Sequence, residues 1–279
     1  MTLIKSISGI RGTLGGNVGE NLTPIDVVKY AAAYGAWVLS AKKGKKVVVG
    51  RDARISGPMV HELVVNTLIA LGIDVVDAGL STTPTVEMAV VEEKAAGGII
   101  LTASHNPKQW NALKLLNHKG EFISAADGAM VLELAESNNI AFAGVDQLGS
   151  ITKKDFLPMH IQKILDLPLV KRDIIAAQKF KIAVDAVNSV GGIAVPALLR
   201  ALGVEAIEEI NCEPNGHFAH NPEPLPEHLG QIASAVKSAK CDLGIVVDPD
   251  VDRLALICED TEMFGEEYTL VAVADYYLK

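Results

Sequence analysis

Short apolar runs rich in β-branched residues alternate along this chain with stretches of helical period, and this alternation constrains the fold more than any other feature. Lys45-Lys46-Val47-Val48-Val49-Gly50 reads as a buried strand closed by glycine. After Gly57-Pro58, residues Val60, Leu63, Val64, Thr67, Leu68 and Leu71 recur at the spacing of one helical face, with Thr67 its polar member. Gly72 fits a helix stop and Ile73-Asp74-Val75-Val76 a second strand. Gly97-Gly98-Ile99-Ile100-Leu101 is another strand that runs into a loop. Strand, helix and strand in succession predict βαβ units and an α/β fold.

A second unit of the same kind follows. Lys181-Ile182-Ala183-Val184-Asp185 resembles a strand, Gly191 to Leu202 a helix, Gly203 its stop, and Val204 to Ile210 a further strand. Asp52 and Asp185 precede Gly72 and Gly203 at similar distances, which suggests a remote internal duplication. The alternative is that any two βαβ units look alike at this level. A chain of 279 residues, 49% of them apolar, has the length and core content for two domains. The expected architecture is α/β: two related three-layer α/β/α domains with mixed sheets. Between the repeats, Ser124 to Val170 has a mostly helical pattern, interrupted at Asn138-Asn139 and from Gly144 to Ser150. The expected domains are therefore residues 1–150 and 151–262, with 263–279 beginning a further unit. Asn215 to Pro226, rich in proline, reads as a loop.

Charge and cysteine usage narrow the function classes. With 25 basic against 34 acidic residues the net charge is −9, a poor match to nucleic acid. No run of eighteen apolar residues predicts a membrane span, and the first residues lack the apolar core of a signal peptide. Cys212, Cys241 and Cys258 form no CxxC pair and no zinc spacing, so the expected compartment is the cytoplasm.

Three segments could carry chemistry. Thr102-Ala103-Ser104-His105-Asn106-Pro107 follows a buried strand and so leaves the carboxyl edge of a sheet, where open α/β folds bind ligands. Ser104 there could be a nucleophile or phosphate carrier, with Lys114 to balance anionic charge or move a proton; the same segment could also be an ordinary polar turn. Asp248-Pro249-Asp250-Val251-Asp252-Arg253 follows the apolar run Leu243 to Val247. Carboxylates at alternate positions would share one side of an extended chain. Brought within about 5 Å, each pair repels by roughly 3 kcal/mol at an effective dielectric of about 20, a penalty that a cation removes. Oxygen donors suit Mg²⁺, and Arg253 beside them suits a phosphate. An EF-hand is excluded, because position 6 is Arg253 and a strand follows. A haloacid-dehalogenase-like phosphatase with Asp248 as nucleophile remains an alternative, although it leaves the serine loop idle. Third, Ser8-Gly9-Ile10-Arg11-Gly12-Thr13 places glycines around an arginine, which would let amides and guanidinium approach a phosphate together; a flexible terminus is the competing reading.

Taken together, Ser8 to Thr13, Val49-Gly50-Arg51-Asp52-Ala53-Arg54, the Ser104 loop and the Asp248 loop resemble the α-D-phosphohexomutases, the family of phosphoglucomutase, phosphomannomutase and phosphoglucosamine mutase. The resemblance implies phosphoryl transfer between O6 and O1 of a hexose or hexosamine phosphate through a bisphosphorylated sugar. It implies that Ser104 is a phosphoserine, and that Asp248, Asp250 and Asp252 hold Mg²⁺ with the phosphoserine as a further ligand. On this reading the Ser104 loop and the triad meet where the two domains adjoin. Arg11 and Arg253 would steady the transferring group, Lys114 would transfer a proton, His105 would assist, and Asn106 would contact substrate. The implied cofactors are Mg²⁺, a covalent phosphate on Ser104 and a bisphosphorylated hexose as activator. Asn111-Ala112-Leu113-Lys114 has alanine where the family usually has glycine, and Asp-Pro-Asp replaces Asp-Gly-Asp.

Family members have four domains, so the resemblance implies the amino-terminal half. The expected partners are a small sugar phosphate and the missing domains III and IV, with no nucleic acid and no membrane. Little mutase turnover is expected of these 279 residues alone. A non-catalytic sugar-phosphate-binding module is the third alternative.

Overall fold

The computed structural model describes residues 1–6, 9–137 and 139–279. Ser8 and Asn138, both invoked above, lie outside the described residues. The chain divides into two units, Met1–Phe156 and Leu157–Lys279.

In the first unit the elements are β1 (Ile4–Ser6), β2 (Gly9–Thr13), α1 (Pro24–Ser40), β3 (Lys46–Arg51), α2 (Gly57–Ala70) and β4 (Asp74–Leu80). They continue with α3 (Thr83–Glu92), β5 (Gly97–Leu101), β6 (Trp110–Leu116), α4 (Ala125–Ser137) and β7 (Ile151–Lys153). The strands form one sheet in the order β1-β2-β6-β5-β3-β4-β7. β5, β3, β4 and β7 run parallel, whereas β6 is antiparallel to both of its neighbours. Alternation along β3 assigns the helices to faces. Val47 and Val49 join the core built with α1 and α2, while the opposite face meets α3, since a Cβ at Gly50 would lie against Val86. Helices therefore cover both faces of the sheet.

Local chemistry accounts for the elements. Thr23 caps α1 in a capping box with Asp26, and Pro24 occupies the first turn. The polar member of the α2 face is satisfied internally, because Thr67 Oγ1 donates to the Leu63 carbonyl at 2.6 Å. Gly72 and Gly203 end α2 and its counterpart in the second unit at φ 78° and 91°, backbone angles that favour glycine. Two sequence expectations need correction. Ser124 to Val170 holds two α-helices, Ala125–Ser137 and Leu157–Leu165, but its middle is not helical in the way expected: a short 3₁₀ turn is followed by β7, which pairs with β4. The strand escapes a pattern search because it has three exposed residues. The Gly9 to Thr13 segment is neither a glycine loop nor a flexible terminus. It is a strand paired to β1 and β6, so its backbone serves the ladder rather than an anion.

The second unit contains α5 (Leu157–Leu165), α6 (Arg172–Gln178), β8 (Lys181–Asp185), α7 (Gly191–Ala201) and β9 (Ala206–Ile210). It ends with α8 (Gly230–Ala239), β10 (Leu243–Val247), β11 (Leu254–Cys258) and α9 (Glu266–Leu278). Its sheet has the order β11-β10-β8-β9, parallel except for β11. Ala183 packs toward α8, and Ile182 and Val184 toward α6 and α7, again one layer on each face. Both units contain the βαβ element read from sequence, β3-α2-β4 and β8-α7-β9, each with a parallel strand pair.

Candidate functional site

The first site lies at the carboxyl ends of β3 and β5. Arg11 from β2, Lys114 from β6, and Ser104, His105 and Asn106 from the loop after β5 line one cavity of about 50 Å³, together with Gly9 and Thr102. Five residues nominated from separate stretches of sequence thus share one space. β2 and β6 are adjacent strands with Arg11 opposite Ala112, which explains how positions about a hundred residues apart reach it. Arg11 Nε is buried and has no hydrogen-bond partner among the described residues. The Lys114 ammonium lies 5.9 Å from the Phe122 ring centroid. Asn106 turns its amide inward, donating to the Ala103 carbonyl at 3.1 Å.

Ser104 is 9% exposed and has φ 49°, a left-handed conformation that costs a non-glycine residue about 1–2 kcal/mol. Sequence reasoning missed what holds it there. Arg54 is 1% exposed, and its Nε donates to Asp52 Oδ2 at 2.9 Å. Its two terminal nitrogens donate to four carbonyls of the following loop: Ser104, Asn106 (2.8 Å), Pro107 (2.8 Å) and Trp110 (3.1 Å). Asp52 Oδ2 also accepts from Thr102 Oγ1 at 2.7 Å, and Thr102 Oγ1 accepts from the Ser104 N–H at 3.0 Å. A guanidinium suits this task, since its planar fork reaches several acceptors at once. The signal was present in Arg51-Asp52-Ala53-Arg54, two arginines and an aspartate directly after a buried strand.

The second site is the loop after β10. Asp248 and Asp250 are buried, Asp252 is exposed, and one oxygen from each lies within 4.8 Å of the others. The carboxylates converge for a different reason from the one expected. The segment is not extended; it curls, with Val251 at φ 63° and Asp248 Oδ1 accepting the N–H groups of Asp252 (3.1 Å) and Arg253 (3.0 Å). Ser189 Oγ, in the loop after β8, donates to the Pro249 carbonyl at 2.7 Å and fixes the curl. Three oxygen donors at this separation, two of them buried, form a donor set of the kind that a hard divalent cation requires. Arg253 Nη1 donates to Glu223 Oε1 at 2.9 Å, so the expected phosphate-binding arginine is held by a carboxylate from the 215–226 loop. In the same loop His220 Nε2 lies 3.2 Å from Asp185 Oδ2. Burial lowers the pKa of His220, but the Asp185 carboxylate outweighs it and the net shift is upward. Burial pushes the Cys212 thiol up to about 12, which keeps it protonated near neutral pH.

This architecture defines a two-unit α/β/α protein whose polar loops gather at the carboxyl edges of its sheets. Residues 4–140 match the family model described as phosphoglucomutase/phosphomannomutase, alpha/beta/alpha domain I, and residues 158–262 match the model for alpha/beta/alpha domain II. The chain belongs to the phosphoglucomutase/phosphomannomutase family. It is 35% identical to a phosphoglucomutase/phosphomannomutase of Thermococcus kodakarensis, over 96% of this chain and 59% of that protein. It is 34% identical to a phosphomannomutase/phosphoglucomutase of Pseudomonas aeruginosa, over 87% of this chain and 50% of that one. A crystal structure of a phosphoglucomutase/phosphomannomutase family protein from Burkholderia thailandensis superposes with TM-score 0.84 at 27% identity, covering 99% of this chain and 60% of that chain. The chain thus spans between half and three-fifths of the length of these relatives. Among the described residues, no helix is long and apolar enough to cross a membrane.

Proposed function

We propose that this chain carries the phosphoryl-transfer apparatus of a phosphohexomutase, with Ser104 as the phosphate carrier. The observation that carries this reading is the single cavity shared by Ser104, Arg11 and Lys114: a nucleophilic oxygen beside two cations. In the forward step, a hydroxyl of a hexose or hexosamine phosphate attacks the phosphorus on Ser104. A sugar O–P bond forms and the Oγ–P bond breaks; the hydroxyl proton passes to the neutral His105 imidazole, and the Lys114 ammonium gives a proton to Ser104 Oγ as it leaves. The bisphosphorylated sugar then turns around and returns its other phosphate to Ser104 by the reverse step. Arg11 lowers the cost of charge on the transferring oxygens, as positioned cations do in phosphoryl transfer generally, and Arg253 takes the same role once a phosphate replaces Glu223 as its partner. Asn106 supports the loop and borders the substrate. Asp248, Asp250 and Asp252 would hold Mg²⁺, which supplies charge neutralisation to the phosphoryl oxygens when bound.

The test is to incubate the protein with Mg²⁺ and a bisphosphorylated hexose and map the phosphate by peptide mass. Acid-stable phosphate on Ser104 is expected. Acid-labile phosphate on Asp248 would instead assign a phosphatase of the aspartate-nucleophile type, and no covalent phosphate would leave a binding module.

A further inference from the structure

We infer that Thr102 and Arg54 are positioning residues for Ser104, acting through Asp52 as a clamp on both sides of the serine backbone. The inference rests on the reading of Ser104 as phosphate carrier and extends it to residues that touch neither substrate nor metal. The Ser104 N–H is held by Thr102 Oγ1 at 3.0 Å, and the Ser104 carbonyl is held by Arg54 Nη2. Both holders meet on one atom, Asp52 Oδ2, at 2.7 Å from Thr102 Oγ1 and 2.9 Å from Arg54 Nε. Asp52 Oδ1 in addition accepts the Arg54 N–H at 2.9 Å, which closes the turn after β3. All three clamp residues are at most 1% exposed.

The arrangement answers a specific need. A left-handed serine in the turn after β5 would relax to a less strained conformation unless its flanking peptides were fixed. Thr102 is suited to the link because its hydroxyl accepts from Ser104 while donating to Asp52. Both roles use the same oxygen, and valine, of the same shape, can perform neither. Arg54 ties the same carboxylate to the rest of the loop through Asn106, Pro107 and Trp110, so the serine is located relative to the strand that precedes it and the strand that follows. The clamp therefore fixes the direction in which Oγ leaves the backbone. Displacement of a reacting group by about 1 Å is enough to cost about a hundredfold in rate.

The experiment compares Thr102→Val, Thr102→Ser and Arg54→Lys in the 279-residue protein, each checked for folding by circular dichroism. The readouts are the rate of phosphate incorporation at Ser104 from a bisphosphorylated hexose and amide exchange across residues 103–107. Thr102→Val is expected to slow incorporation by about 10- to 100-fold, with the half-saturating sugar concentration changed by less than about twofold. Amide protection at Ser104 should fall with it. Thr102→Ser, which keeps the oxygen, should stay within about threefold of the parent, a rescue that a purely structural role for the side chain would not produce. Arg54→Lys, which loses the fork, should repeat the valine result. Incorporation by Thr102→Val at the parent rate would overturn the proposal. If the parent protein takes no phosphate at Ser104, the carrier reading fails on its own; the clamp is then decided by exchange, and unchanged protection in both Thr102→Val and Arg54→Lys would overturn it. Should Thr102→Val not fold, Arg54→Lys carries the same two readouts.

Discussion

Replacing Asp250 with asparagine should stabilise the metal-free protein while abolishing its response to Mg²⁺. The three carboxylates lie within 4.8 Å of one another, and two are buried. At an effective dielectric of about 20, each ionised pair at that distance repels by roughly 3 kcal/mol. Asp250 takes part in two of the three pairs. Asp252 is exposed, so its share is reduced by solvent, and Asp248 is already partly compensated by two backbone N–H donors. A net relief of about 1–3 kcal/mol remains for Asp250→Asn in the presence of a chelator. For a unit of this size that raises the midpoint of the corresponding thermal transition by about 3–10 °C. Mg²⁺ acts unequally on the two proteins. At a hundred times its dissociation constant it should stabilise the parent by about 2.7 kcal/mol and the variant far less. Scanning calorimetry with chelator and with Mg²⁺ measures all four midpoints. A variant that melts below the parent in chelator, or that keeps the full Mg²⁺ shift, would show that Asp250 neither repels its neighbours nor holds the ion.

Three further outcomes follow from the packing and charges. Arg54→Ala should lower the unfolding free energy of the first unit by about 3–5 kcal/mol in urea titrations, because it strands the buried Asp52 carboxylate and removes the donor for four loop carbonyls; a loss below about 1 kcal/mol would contradict the clamp's energetics. Gly97→Ala should cost about 1–3 kcal/mol, since the new Cβ would lie 2.2 Å from Tyr34 Oη, which donates to the Leu116 carbonyl in the core; unchanged stability would show that the Tyr34 contact relaxes freely. Hydrogen bonds from Lys154 and Lys46 hold the Glu93 carboxyl below its ordinary value of 4.5. Its folded-state pKa is depressed, so its contribution to stability is complete above about pH 4.5 and is lost as pH falls through the lower folded value. Acid titration of Glu93→Gln should lack that part of the decline, and a curve parallel to the parent's would remove Glu93 from the account.

The parts of the fold that were legible in the sequence are those where one face of an element is buried. The α2 face, the closing Gly72 and Gly203, and the fully buried β5 all carry periodic or punctuating signals. β7 carries none, because its three residues are exposed and only its pairing with β4 makes it a strand. The start of α1 was missed, although Thr23-Pro24-Ile25-Asp26 spells the capping box whose hydrogen bonds the structure contains. At the candidate sites, reactive residue types were conspicuous and their supports were not. Ser104 and the aspartates stand out by chemistry and by their place after apolar strands. Arg54, Thr102, Ser189 and Glu223 act through contacts between residues distant in sequence, 50 positions for Arg54 and Ser104 and 60 for Ser189 and Pro249. No local period records such pairings. The curl of the Asp248 loop was missed for a related reason: an extended reading ignores the backbone donors that wrap around the first carboxylate.

Under the proposed function Ser104 carries phosphate and the Asp248, Asp250 and Asp252 carboxylates hold Mg²⁺. The most direct measurement is the rate of phosphate incorporation at Ser104 from a bisphosphorylated hexose as Mg²⁺ is titrated, in the parent and in Asp250→Asn. The expected result is a saturable Mg²⁺ dependence in the parent and, at the Mg²⁺ concentration that saturates it, a rate at least about tenfold lower in the variant. Equal labelling of Ser104 in both proteins, or full labelling in chelator, would contradict it.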